Sequence, residues 1–146
     1  MEDSRPSPLK IAKKMTALQL IQHYFDAFNQ QNWPAMLACL DPDVRHDSNQ
    51  GDSHFGIENF RLFLEKMDAA YSERLTDFTF LSNDTGDRIA AEFTVHGIYK
   101  VADEGLPPAR GQKYELPVGA FFEVRNGKIC RVTTYYNLTK WLEMVG

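Results

Sequence analysis

Cysteine is scarce in this chain of 146 residues: only two occur, Cys39 in a helix-like apolar run and Cys130 in a strand-like one. Two lone thiols supply neither a disulfide framework nor the paired spacing of a zinc site. Each reads instead as a small buried hydrophobe. Long apolar runs are missing as well: no stretch approaches the ~18 consecutive apolar residues of a membrane-spanning helix. The opening segment MEDSRPSPLKIAKKM is polar, carries Pro6 and Pro8, and lacks the apolar core of a secretory signal. The sequons Asn83-Asp84-Thr85 and Asn137-Leu138-Thr139 then have no secretory context, and a cytoplasmic location is expected. Basic runs are few. Beyond Lys10, Lys13 and Lys14 none occurs, and a net charge of −4 speaks against nucleic acid or an anionic membrane surface as the main partner.

What is present is 43% hydrophobic and 12% aromatic residues, enough for one domain with a substantial core. The expected organisation is a flexible tail over 1–15 and a single domain over 16–146. From Thr16, a plausible N-cap, Leu18, Ile21, Phe25 and Phe28 recur at helical spacing, with Leu20 and Tyr24 widening the stripe. Pro34 opens a second, shorter helix that Asp41-Pro42 stops. A brief extended segment, Val44 to Asp47, follows. Gly56 then precedes a third helix with an apolar stripe of Ile57, Phe60, Phe63, Leu64, Met67, Ala70 and Tyr71.

The second half changes period. Strands are expected over 75–82, 89–101, 114–125 and 128–138, the last two joined by Arg125-Asn126-Gly127, a strong hairpin signal. In 89–101, Ala91, Phe93, Val95, Gly97 and Tyr99 share one face while Glu92, Thr94 and His96 share the other. A short amphipathic element, 139–145, closes the chain. Helices followed by hairpin-linked strands give an α+β fold, with helices on one face of a curved antiparallel sheet. The space between the layers is lined by apolar side chains, which suits either a pocket for a small hydrophobic ligand or a close-packed core.

The stretch RHDSNQGDSH, Arg45 to His54, concentrates the polar chemistry. Read as a calcium loop from Asp47, it offers Asn49, Gly51, Ser53 and Glu58 at suitable places, but Asp52 stands where the sharp turn requires glycine. His46, Asp47, Asp52 and His54 have no standard metal-ligand spacing; no metal is expected. Asp47 has two readings. In an apolar pocket its pKa would rise toward that of a useful general base; alternatively it opens an Asx-turn onto Asn49 or Gln50.

The stretches FDAFNQQNWPAMLACLDPDVRHD, FGIENFRLFLEKM and GAFFEVRNGKICRVTTYYN, with the loop DEGLPPARGQ, resemble the ketosteroid isomerase and polyketide cyclase superfamily over 16–138. The resemblance is closest to ketosteroid isomerase-related proteins of the nuclear transport factor 2-like fold. It implies a cone-shaped curved antiparallel sheet with three N-terminal helices packed on its concave face. It also implies a cofactor-independent isomerase, cyclase or lyase acting on a small hydrophobic carbonyl compound, with Asp47 as general acid/base and His46 or Tyr136 assisting. Tyr24, Phe25, Phe28, Asn49, Phe63, Met67, Phe93, Ala120, Phe122 and Thr134 are then the expected substrate contacts. No cofactor is implied. The family's oxyanion donors are missing: Phe25 stands in the tyrosine's place with Tyr24 one residue off, Ala120 or Gly119 replaces the acid, and Leu40 and Leu64 replace the supporting tyrosines. Tyr24, Tyr136 or Thr134 would have to substitute. The alternative is a noncatalytic dimeric binder of small apolar ligands. Relatives pair through the convex sheet face, where Glu92 and His96 fall, so a homodimer is expected. The loop 103–112, stiffened by Pro107 and Pro108 and flanked by Gly105 and Gly111, suits a lid.

Overall fold

The computed structural model describes residues 15–146; the expected flexible tail lies outside them except for Met15. Helix α1, Ala17–Asn29, starts at a capping box: the Gln19 amide donates to the Thr16 hydroxyl, and the Thr16 amide donates to the Gln19 side chain. Helix α2, Trp33–Leu37, is capped by Asn32 and carries Pro34 in its first turn, where no intrahelical amide is needed. Helix α3, Ile57–Ala70, follows Gly56.

Strands β1 (Leu40–Asp47), β2 (His54–Phe55), β3 (Tyr71–Ser82), β4 (Arg88–Tyr99), β5 (Gln112–Arg125) and β6 (Lys128–Tyr136) form one sheet in the order β2-β1-β6-β5-β4-β3. Helix α4, Leu138–Val145, closes the chain. The fold is the expected α+β class, an open curved sheet with helices packed against it. Strands β3 to β6 are antiparallel neighbours, while β1 runs parallel to β6, so the sheet is mixed and not wholly antiparallel. Parallel pairing is open to β1 because α3 and four strands intervene, a connection long enough to bring the chain back in the same direction.

Two of the boundaries that differ from expectation shape the site. β1 begins at Leu40, passing through Pro42 with an irregular register between Leu40 and Arg45; proline offers no amide to the ladder, and the bend accommodates it. β3 starts at Tyr71, straight off α3 and four residues earlier than the sequence pattern gave. The β5–β6 hairpin turns at Asn126 and Gly127, with φ of 53° and 73°, the left-handed pair that a two-residue turn demands.

The core lies between α1, α3, α4 and the concave sheet face. Phe25 is its centre at one end, with ring centroids of Phe78, Phe93, Phe122 and Phe80 at 4.9, 5.1, 5.6 and 6.2 Å. At the other end Trp141 of α4 packs on Tyr99, Tyr114 and Tyr71 at 5.3, 5.9 and 6.2 Å. Cys39 is buried and its thiol is pushed up to about 11 by burial, in keeping with a hydrophobe's role; Cys130 is only half-buried.

Candidate active site

The register of β1 on β6 decides where its polar residues point. His46 pairs with Val132 and Asp47 with Thr133, and successive strand residues face opposite ways. His46 therefore joins the buried concave face, its ring 4.4 Å from Phe63 and 4.7 Å from Phe60. Burial drives its pKa down to about 4, against the opposing pull of Asp47, so the ring is neutral near pH 7. The apolar surroundings expected for Asp47 belong to His46.

Asp47 lies on the other face. Its carboxylate accepts hydrogen bonds from Thr133 Oγ1 (2.6 Å), Arg45 Nε (3.0 Å) and Ser53, with Arg131 Nε at 3.9 Å. Burial by itself would raise its pKa, but these donors outweigh it and hold the group at about 2. This corrects the expected rise, because the pleat sets the carboxylate among hydroxyls and guanidinium groups. Nor does Asp47 form an Asx-turn: it binds side chains, and in the following turn the Ser48 hydroxyl donates to the carbonyl of Gln50. Asn49 accepts the Tyr136 amide at 2.9 Å, fastening this loop to the end of β6.

The expected concave lining divides in two. Tyr24, Phe25, Phe93, Ala120 and Phe122 are close-packed core, and burial pushes the Tyr24 hydroxyl pKa far up. Thr134, opposite Ala120, and Tyr136, opposite Val118, stay half-buried on the concave face. Phe28 and Met67, with Trp33, Leu64, Tyr71 and Glu73, enclose a cavity of about 20 Å³. That is room for a single water molecule.

Glu73 is the residue that sequence reading missed. With β3 starting at Tyr71, the alternation Tyr71, Glu73, Leu75 turns Glu73 inward, onto an otherwise apolar face. Part of the residue reaches the surface, yet protein surrounds its carboxyl group. Burial pushes its pKa up, and a hydrogen bond donated by the Tyr114 hydroxyl offsets only part of the rise. A second such pair adjoins it: Tyr71 donates to Asp103 Oδ2 at 3.0 Å, and Lys66 Nζ lies 3.1 Å from Oδ1. Burial, Glu73 and Asp103 together raise the pKa of Tyr136, so its hydroxyl keeps its proton. The signal in the sequence is an acidic residue at an inward strand position, hidden where the pattern starts the strand only at Leu75.

The 103–112 loop is fastened at several points. The Tyr99 hydroxyl donates to the Pro107 carbonyl at 2.6 Å and accepts the Asp103 amide at 3.0 Å, while Gln112 Nε2 donates to the carbonyls of Pro108 and Val145, both at 2.8 Å. Among the described residues no group of three His, Cys, Asp or Glu side chains is placed to hold a metal ion, and no helix is long and apolar enough to cross a membrane.

Comparison with known proteins gives a consistent picture. The SnoaL-like domain family matches residues 21–132. A solved structure of a candidate polyketide cyclase from Pseudomonas putida KT2440 is 54% identical, covers 90% of this chain and 99% of its own, and superposes with a TM-score of 0.89. A second candidate polyketide cyclase, from Xanthomonas campestris pv. campestris, is 50% identical, with 92% and 99% covered and a TM-score of 0.87. An LEH-like epoxide hydrolase of M. tuberculosis, 15% identical over 88% of this chain and 84% of its own (TM-score 0.71), shares the fold. No curated protein matches the chain.

Proposed function

The chain belongs to the SnoaL-like domain family, within the ketosteroid isomerase and polyketide cyclase superfamily, and on that premise we propose that it is a cofactor-independent acid–base enzyme. It isomerises, cyclises or eliminates within a small hydrophobic carbonyl compound, and Glu73 takes and returns the proton. The observation that carries this is the Glu73 carboxyl group, raised in pKa by burial, bonded to Tyr114 and opening on the small cavity beside Phe28, Trp33 and Met67. A carboxylate of raised pKa is a stronger base, better matched to a carbon acid's proton. Tyr136, protonated and on the concave face, supplies the donor for the developing oxyanion. Asp47, held at about 2 by its donors, is a weak base on the opposite face. A ligand larger than water enters by displacing the unbranched Met67 and the half-buried Phe28 and Trp33.

The test is α-proton exchange of small hydrophobic ketones, cyclohexanone and 1-indanone, followed by NMR in D₂O. Glu73→Gln is expected to slow the exchange by ~10²–10⁴-fold, and Asp47→Asn to leave it within a few-fold of wild type. The reverse pattern returns the role to Asp47. Ketone binding without exchange in the wild type favours the noncatalytic binder.

A homodimer through the convex face belongs to the same proposal. Phe121 and Tyr135 project from it 39% and 56% exposed, with ring centroids 5.8 Å apart, and an exposed aromatic pair on a sheet face suits burial against a second copy. Tyr135→Glu is expected to convert a dimer to a monomer in light scattering; a wild-type monomer at micromolar concentration refutes this.

A further inference from the structure

We propose that Gly97 is a positioning residue for the acid–base pair: its missing side chain is the passage through which Tyr114 reaches Glu73. This rests on the reading of Glu73 as the proton carrier. Glu73 pairs with Gly97 and Gly97 with Tyr114, so the three stand in one row across β3, β4 and β5. Adjacent strands are ~4.8 Å apart; the outer two backbones are thus roughly 10 Å apart, and a tyrosine spans that gap only by lying over the middle strand. Tyr114 does so. A Cβ placed on Gly97 would stand 2.1 Å from its Cζ, 2.3 Å from its Cε2 and 2.4 Å from its hydroxyl oxygen. Glycine inside a strand commonly marks such a close approach.

On its core side the ring is held by two neighbours, while Glu73, Gly97 and Tyr114 also border an open groove. Trp141 lies 5.9 Å away and Tyr71 6.5 Å away, centroid to centroid, and Tyr114 is buried. Any side chain at position 97 therefore moves the hydroxyl off Glu73, the only donor recorded on that carboxylate among the described residues. The other titratable and charged groups around Glu73 are Tyr71, Asp103 and Tyr136 on the concave side, Asp68 of α3 in the cavity wall, and Arg74, His96, Lys113 and Glu115 along the open groove that Glu73 and Tyr114 also border.

The experiment is a ¹³C NMR titration of the Glu73 carboxyl carbon, assigned with Glu73→Gln, in wild type, Tyr114→Phe, Gly97→Ala and the double variant. Tyr114→Phe removes a hydrogen bond to the charged form, so the midpoint is expected to climb by about one pH unit, a tenfold weaker acid. Gly97→Ala is expected to give the same climb, and the double variant no more than either. A Gly97→Ala protein that is folded and titrates as wild type overturns the proposal. Should Gly97→Ala not fold, the same substitution is made in Tyr114→Ala, where the path is empty: it is expected to leave that variant's thermal midpoint unchanged, and a further loss overturns the proposal. Because the titration needs no turnover, an active Glu73→Gln defeats the functional reading alone, and an unmoved Gly97→Ala midpoint defeats this one alone.

Discussion

Lowering the pH from 7 to 5 places a proton on the imidazole of every unfolded chain but not on His46 in the folded one. Its ring is held between Phe60 and Phe63 with a pKa of about 4, against an ordinary value of 6.5. The folded pKa is depressed for a base, so the unfolded state binds more protons; stability is present above about 6.5 and is lost as pH falls toward 4. The 2.5-unit gap corresponds to about 3 kcal/mol in full, of which about 2 kcal/mol is lost by pH 5. Glu73 works in the opposite sense: its raised pKa means that stability is gained as pH falls through its folded value. A wild-type profile mixes the two. The comparison therefore uses His46→Phe, which keeps an aromatic ring in the site, and takes the difference between the two proteins' pH dependence. Urea unfolding followed by the fluorescence of Trp33 and Trp141 should show the wild-type midpoint falling between pH 7 and 5 by about 1 M more than that of His46→Phe. Equal falls in the two proteins would refute the argument, and with it the inward placement of His46.

Two further perturbations test neighbouring parts of the structure. Asp47→Asn leaves Thr133, Ser53 and Arg45 with a weaker acceptor and should lower stability at pH 7 by about 1 kcal/mol, allowing for solvent screening around the exposed Arg45. Since the folded pKa of Asp47 lies below its ordinary 3.8, that difference should persist above pH 4 and vanish as the pH falls toward 2, read as converging urea midpoints. Phe25→Ala empties the space between four other phenyl rings and should cost about 3–5 kcal/mol, a fall of more than 10 °C in Tm by calorimetry; a fall of only a few degrees would mean that this end of the core is loosely packed.

How much of the site was legible in the sequence varies residue by residue. Phe28 and Met67 were expected on the interior from helical spacing, and both line the cavity, because a helix stripe depends only on the local 3.6-residue repeat. The inward place of His46 was also present in the alternation from buried Val44, two residues earlier. The family's motif drew attention to Asp47 instead, one step around the pleat, and a one-residue step turns a side chain to the opposite face. Glu73 is hidden for a different reason: where an apolar helix runs directly into a strand, composition does not mark the change, and a strand read from Leu75 leaves out the acid that faces inward.

The order of the helices and of every strand but the short β2, the Asn126-Gly127 hairpin, the capping of α1 and the apolar stripes are all written locally in the chain, since they follow from dihedral preference and periodicity. Folding in three dimensions adds the rest: β1 runs parallel to β6, Phe25 fills a core while Met67 borders a cavity, and Tyr114 crosses Gly97 to meet Glu73. The physical reason is distance along the chain: Tyr114 and Glu73 are 41 residues apart, and their hydrogen bond depends on a register across three strands that no local preference encodes.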